Sequence, residues 1–113
     1  MAFEDLEVWK RSAALSAEVY LVLKDLKDYG FKDQITRSCL SISSNVAEGI
    51  ERKTSKDTLK FLTYSQGSCA EFRSQTYIGI KINYIPSKIG HQWVQESKEI
   101  SAMIIGLSKS IAN

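Results

Sequence analysis

A single proline, Pro86, and six glycines are spread over 113 residues. Proline and glycine are the residues that most readily break a helix, so this chain has few points at which one must stop. An all-β chain would need turn signals every ~8–12 residues, and they are absent here. Apolar residues instead recur at steps of three and four, the period of one helix face. The expected architecture is therefore all-α: an up-down-up-down antiparallel four-helix bundle. Its helices should lie near residues 6–28, 32–52, 55–84 and 87–111. A chain of this length can enclose one core without staples, so residues 1–113 are read as a single domain.

The helices have local signals of their own. Asp5 is placed to cap the first, whose apolar line is Leu6, Trp9, Ala13, Ser16, Tyr20 and Leu23, with a second stripe of Val8, Leu15, Val19, Val22 and Leu26 beside it. Gly30 suits a left-handed helix end. The second helix buries Ile35, Cys39, Ile42, Val46 and Gly49 and is rich in serine. Serine is a mediocre helix former, so close approach of a neighbouring helix is the better reason for it. An antiparallel hairpin would set Trp9 against Gly49. Thr54 to Asp57 has the form of a capping box, with Ser55 the other candidate cap, Pro86 should end the third helix, and Ser87 is a good cap for the fourth. In the third helix Phe61 and Phe72 sit off the Leu62–Cys69 line. Apolar cover wider than one core requires predicts a homo-oligomer.

Several function classes are poorly served. No run approaches the ~20 apolar residues of a membrane span, and the acidic start Met1-Ala2-Phe3-Glu4-Asp5 is not a signal peptide. Cys39 and Cys69 are isolated thiols in apolar surroundings, expected to be reduced and buried in a cytoplasmic protein. One histidine, His91, cannot build a bundle-core metal site, and no glycine-rich phosphate loop is present. No cofactor, metal or catalytic set is expected, and the chain is read as non-enzymatic.

What remains is a polar seam and a basic turn. Ser44-Asn45-Val46-Ala47-Glu48-Gly49 and Gly67-Ser68-Cys69-Ala70-Glu71-Phe72 each place small residues and one carboxylate on an otherwise buried helix. Asn45, Glu48, Ser68 and Glu71, with Arg37, are read as structural, Glu71 facing Arg37 in an interhelical ion pair. Arg52, Lys53, Lys56 and Lys60 flank the turn between the second and third helices. Cations at a bundle end, beside a helix amino terminus, can meet phosphates. The net charge is only +2, but residues 34–95 carry eight basic against four acidic side chains. No interleaved aromatic platform for unpaired bases is visible, so any binding should be salt-sensitive and directed at the backbone.

Phe3-Glu4-Asp5-Leu6-Glu7-Val8-Trp9-Lys10, Ser44 to Gly49, Lys60-Phe61-Leu62 and Gly67 to Glu71 together resemble the bacterial four-helix bundle proteins related to the 23S rRNA intervening-sequence protein. The chain departs from that pattern at Lys27-Asp28-Tyr29-Gly30-Phe31, which lacks a proline before Tyr-Gly. The resemblance implies a closed left-turning bundle that assembles into homo-oligomers, often rings of five. Similar accessory proteins of diversity-generating retroelements form basic barrels that bind nucleic acid and a reverse transcriptase. The resulting expectation is an oligomeric protein that associates with RNA or DNA. The competing expectations are a protein-interaction scaffold and, third, a small enzyme using Glu48 or Glu71.

Overall fold

The computed structural model describes residues 1–113. After a one-turn 3-10 helix, Phe3–Asp5, come α1 (Glu7–Val22), α2 (Tyr29–Ile50), α3 (Ser55–Lys81) and α4 (Ser87–Ala112), with no strand. The four form a helical bundle 43 Å long and about 20 Å across. In it α2 lies between α1 and α3, α4 lies between α3 and α1, and the pairs α1/α3 and α2/α4 do not lie side by side.

One apolar cluster fills the centre, with Val19, Ile35, Ile42, Leu62, Phe72 and Trp93 among its members. Burying side chains of this size contributes roughly 1.5–3 kcal/mol each, enough to hold helices whose serines give little help. Phe72, expected as spare cover, is fully buried and packs against Trp93 with ring centroids 6.1 Å apart. In α1 the stripe Val8, Leu15 and Val19 joins Leu23 in the core. The Trp9, Ala13 and Tyr20 line faces outward beside α2.

The boundaries differ from expectation where capping decides them. α1 stops at Val22, well before residue 28, because Asp28 takes the cap position of α2 and accepts the Phe31 N–H at 3.1 Å. Gly30 therefore falls inside the first turn of α2, and no glycine adopts a positive φ. The 3-10 turn occupies Asp5, so Leu6 stands at the cap of α1 without a side-chain bond.

α3 ends at Lys81 rather than at Tyr84. Asn83 turns left-handed at φ 62°, and the Tyr84 and Asn83 N–H groups return to the Gly79 and Ile80 carbonyls at 2.9 and 3.1 Å. This is the Schellman arrangement, which asparagine tolerates nearly as well as glycine. It folds Ile85 back onto Gly79, where an added Cβ would lie 2.4 Å from Ile85 Cδ1, and Ile80 covers Gly90 as closely. Pro86 then stands at the cap of α4, and Ser87 is its first helical residue.

Gly49 gives room to a different neighbour from the one expected. A Cβ there would meet Phe61 Cβ at 3.1 Å and the Thr58 carbonyl at 3.2 Å, both on α3. Trp9 packs instead against Phe3, with centroids 5.2 Å apart.

Candidate nucleic-acid interface

Thr54 caps α3, its hydroxyl accepting the Asp57 N–H at 3.2 Å. The buried Thr58 hydroxyl donates to the Gly49 carbonyl at 2.8 Å and ties the start of α3 to the end of α2. Of the four expected cations, Arg52 and Lys53 lie in the short turn between them, and Lys56 and Lys60 lie on the first turns of α3. Arg52, Lys53, Lys56 and Lys60 are all exposed. Arg52 is committed: it pairs with Glu48 one turn earlier on α2 and lies 4.6 Å from the Phe61 ring centroid. Lys60 stands 6.0 Å from the centre of Tyr64, whose ring meets Phe61 edge-on at 5.7 Å. None of the three lysines has a carboxylate within ion-pair distance. Glu48, Glu51 and Asp57 lie along the same stretch, so the turn is mixed in charge with its lysines free.

The polar seam is not the buried clamp that the two look-alike segments suggest. Glu48 and Glu71 are both exposed. Arg37 pairs with Asp33 at 3.1 Å, one turn back on its own helix, and leaves Glu71 unpaired. An i,i+4 pair on a helix surface needs no precise interhelical register, and it takes the guanidinium expected to face Glu71. Asn45 donates to the Ser41 carbonyl at 2.8 Å, and Ser68 is half-buried without a side-chain bond.

The polar links between helices come from other residues. Ser38 donates to Gln75 at 2.6 Å and Ser65 donates to the Ile42 carbonyl at 2.7 Å, both joining α2 to α3. Between α1 and α4, Arg11 grips Glu96 through two nitrogens, reaches Glu99 at 2.7 Å, and lies 3.7 Å from the Met103 sulfur. Those hydrogen bonds hold the guanidinium protonated and draw the Glu99 carboxyl below its usual range. The Trp93 indole N–H donates to Glu18. The serines carried a signal in sequence, being small polar residues on apolar lines. Arg11 carried none.

Nothing here resembles a reaction centre. Cys39 and Cys69 are buried, and desolvation pushes the Cys69 thiol up to about 12 and raises that of Cys39 as well. Thiols held protonated are poor nucleophiles and poor ligands. His91 is exposed, its Nδ1 lying 2.8 Å from the Ser87 carbonyl oxygen in the first turn of α4. No group of three or more His, Cys, Asp or Glu side chains could hold a metal ion. No helix is long and apolar enough to cross a membrane.

A depression of about 210 Å³ opens at the turn itself, with Arg52, Lys53, Thr54 and Thr58 in its wall; one of about 320 Å³ lies beside Arg11, Glu18 and Trp93, and two larger ones lie along α1 and α2. A groove of about 490 Å³ runs between α1 and α2, lined by Phe3, Trp9, Ala13, Tyr20, Leu40 and Ala47 among others. A more polar pocket of about 640 Å³ opens where α1 leads into α2, with Tyr20, Lys24, Tyr29 and Lys32 in its wall. Sequence reading missed this second set because its aromatics and lysines are separated by a loop, and only the turn of the chain brings them together.

None of the curated proteins matches the chain significantly. Among solved structures it is similar to a protein of unknown function from the S23 ribosomal protein family of Bacteroides thetaiotaomicron VPI-5482, with a TM-score of 0.85 at 22% identity over 90% of this chain and 98% of that one. That likeness concerns the fold. The model of the 23S rRNA-intervening sequence protein family matches residues 4–106, nearly the whole length. The chain belongs to the 23S rRNA-intervening sequence protein family.

Proposed function

We propose that this chain is a non-enzymatic, cytoplasmic protein that assembles with copies of itself and binds nucleic acid through the α2–α3 turn. The observation that carries the reading is the set Lys53, Lys56 and Lys60, exposed at one end of the bundle with no carboxylate paired to them. Such cations favour phosphates and release counterions on binding. The single domain is taken as an up-down-up-down antiparallel bundle, which puts this turn at one tip. Its support is the reversed order of partners across neighbouring helices: Ser38 with Gln75 and Ser65 with Ile42 between α2 and α3, and Arg11 with Met103 and Glu18 with Trp93 between α1 and α4.

Assembly is supported by exposed apolar surface. Leu21 is 67% exposed, Ile78 51% and Ile82 47%, and the α1–α2 groove is mostly apolar. A closed ring, five-membered by the family resemblance, would repeat the turn around one rim and multiply a charge that is small in one copy. The alternative is a protein-interaction scaffold without nucleic acid, which the same groove favours together with the net charge of only +2.

A titration with structured RNA at rising salt tests the reading. Affinity should fall steeply between about 50 and about 200 mM salt. It should also fall on charge reversal of Lys53, Lys56 and Lys60. Binding indifferent to both would leave the scaffold reading. Sedimentation as a compact monomer would remove the ring.

A further inference from the structure

The pocket between α1 and α2 combines features that the basic turn lacks. Tyr20 is 46% exposed and Tyr29 67%, so each ring keeps accessible surface. Lys24 is exposed and free of carboxylate partners. Lys32 is held in place, its ammonium donating to the Lys24 carbonyl at 3.1 Å and standing 5.1 Å from the centre of the Tyr29 ring. Asp33 is the one carboxylate in the wall, and Arg37 engages it. Gly30 leaves the floor open: a Cβ there would meet nothing closer than Asp28 Oδ1, at 3.7 Å.

Flat aromatic faces next to fixed cations suit a ligand that is itself flat and aromatic and carries an adjacent anion. Exposed rings stack bases of any identity, and lysines beside them take the phosphate. A volume of about 640 Å³ is in the range of small-ligand sites. Paired bases in a duplex offer no free face, so the strand must be single.

We propose that this pocket binds an unpaired nucleotide of single-stranded RNA or DNA, with the base stacked on Tyr20 and Tyr29 and the phosphate against Lys24 and Lys32. It shares with the previous reading the premise that the chain meets nucleic acid, but it uses the other end of α2. The two sites are separated along that helix by roughly 30 Å. A single strand long enough could touch both.

The test is a titration of the full chain with fluorescein-labelled oligouridylate and oligodeoxythymidylate of about 12 nucleotides, and with a blunt duplex of the same length. The pair Tyr20→Ala and Tyr29→Ala should weaken binding of the single strands roughly 10- to 100-fold, while Tyr20→Phe and Tyr29→Phe together keep it within about twofold, since phenylalanine also stacks. Lys24→Gln should lower the slope of log affinity against log salt by about 1. Both tyrosines are exposed, so melting curves of the variants should match the parent. Equal affinity for duplex and single strand, or no loss in the alanine pair, overturns the pocket. If only charge reversal of Lys53, Lys56 and Lys60 weakens binding, the pocket falls and the rim stands; if only the tyrosine variants do, the pocket stands and the rim falls. Tyrosine changes that shift sedimentation and leave oligonucleotide affinity untouched would make the pocket a contact between copies and overturn the proposal.

Discussion

The two ends of α2 are built by opposite means. At its amino-terminal end the chain is clasped: Asp28 caps the helix and accepts the Tyr84 hydroxyl at 2.8 Å, and Phe31 meets the Tyr84 ring edge-on at 5.3 Å. Ile85 and Ile80 close over Gly79 and Gly90 nearby. At its carboxyl-terminal end one hydroxyl caps α3, one ties it back to Gly49, and the lysines are left free. The difference teaches what each end can offer. The clasped corner lies beside the pocket of about 640 Å³ that holds Tyr20 and Tyr29, whereas the turn offers lysines free of carboxylate partners around a smaller depression of about 210 Å³. In the proposed binding mode the first stacks a base and the second meets the backbone.

The largest expected contrast between the ends is in packing. Gly79→Ala and Gly90→Ala each push a methyl group to within 2.4 Å of an isoleucine carbon, and overpacking of this kind costs about 1–3 kcal/mol. At the turn, Gly49→Ala meets its nearest atoms at 3.1 and 3.2 Å. Those atoms belong to the body of α3, which must give by a few tenths of an ångström, and the better helix propensity of alanine offsets up to about 1 kcal/mol of that cost. Urea denaturation should therefore rank Gly49→Ala well above the other two in stability. The opposite ranking would break the comparison.

A smaller effect belongs to the caps. Thr54→Ala should cost about 1 kcal/mol in the same measurement, and the loss should be independent of pH because no titrating group makes that bond. A loss under a few tenths of a kcal/mol would mean that the Thr54 cap is not made in solution.

The clasp, in contrast, should respond to pH at both extremes. The Phe31 N–H and then the Tyr84 hydroxyl lower the Asp28 carboxyl below its ordinary value, and the same bond raises the Tyr84 phenol. The Asp28 contribution is present above the ordinary carboxyl pKa and is lost as pH falls through the lowered folded value. The Tyr84 contribution is present below the ordinary phenol pKa and is lost as pH rises through the raised one. Melting temperature against pH should have a shallower acid limb in Asp28→Asn, the part due to Glu99 remaining. Tyr84→Phe should soften the alkaline limb, the part due to the buried Cys39 and Cys69 thiols remaining, and keep most of the acid one, because the Phe31 N–H is the larger influence on Asp28. Identical profiles in parent and variants would show that the clasp does not hold in solution.

The helices themselves were legible because Ile35, Cys39, Ile42 and Val46 step at the helix period and little interrupts them. Their ends were not. Gly30 and Pro86 are strong punctuation in a sequence, yet Asp28 and Asn83 outcompeted them through hydrogen bonds made with residues three to five positions away. The cations of the basic turn are exposed, since lysines beside a cap have nowhere to bury. The Arg37–Glu71 pair failed because Asp33 lay one turn away on the same helix, and local pairing needs no tertiary register. The pocket around Tyr20 and Tyr29 was illegible because a single aromatic on each of two helices gives no pattern until the loop between them is shaped.

The most direct test of the account is amide hydrogen exchange of the parent chain with and without a single-stranded oligonucleotide long enough to span both ends of α2. The account predicts added protection in two separate segments, residues 20–33 and residues 51–62, with the outer face of α4 around Ile105 unchanged. Protection confined to α4, or absent from both ends of α2 at saturating oligonucleotide, would contradict it.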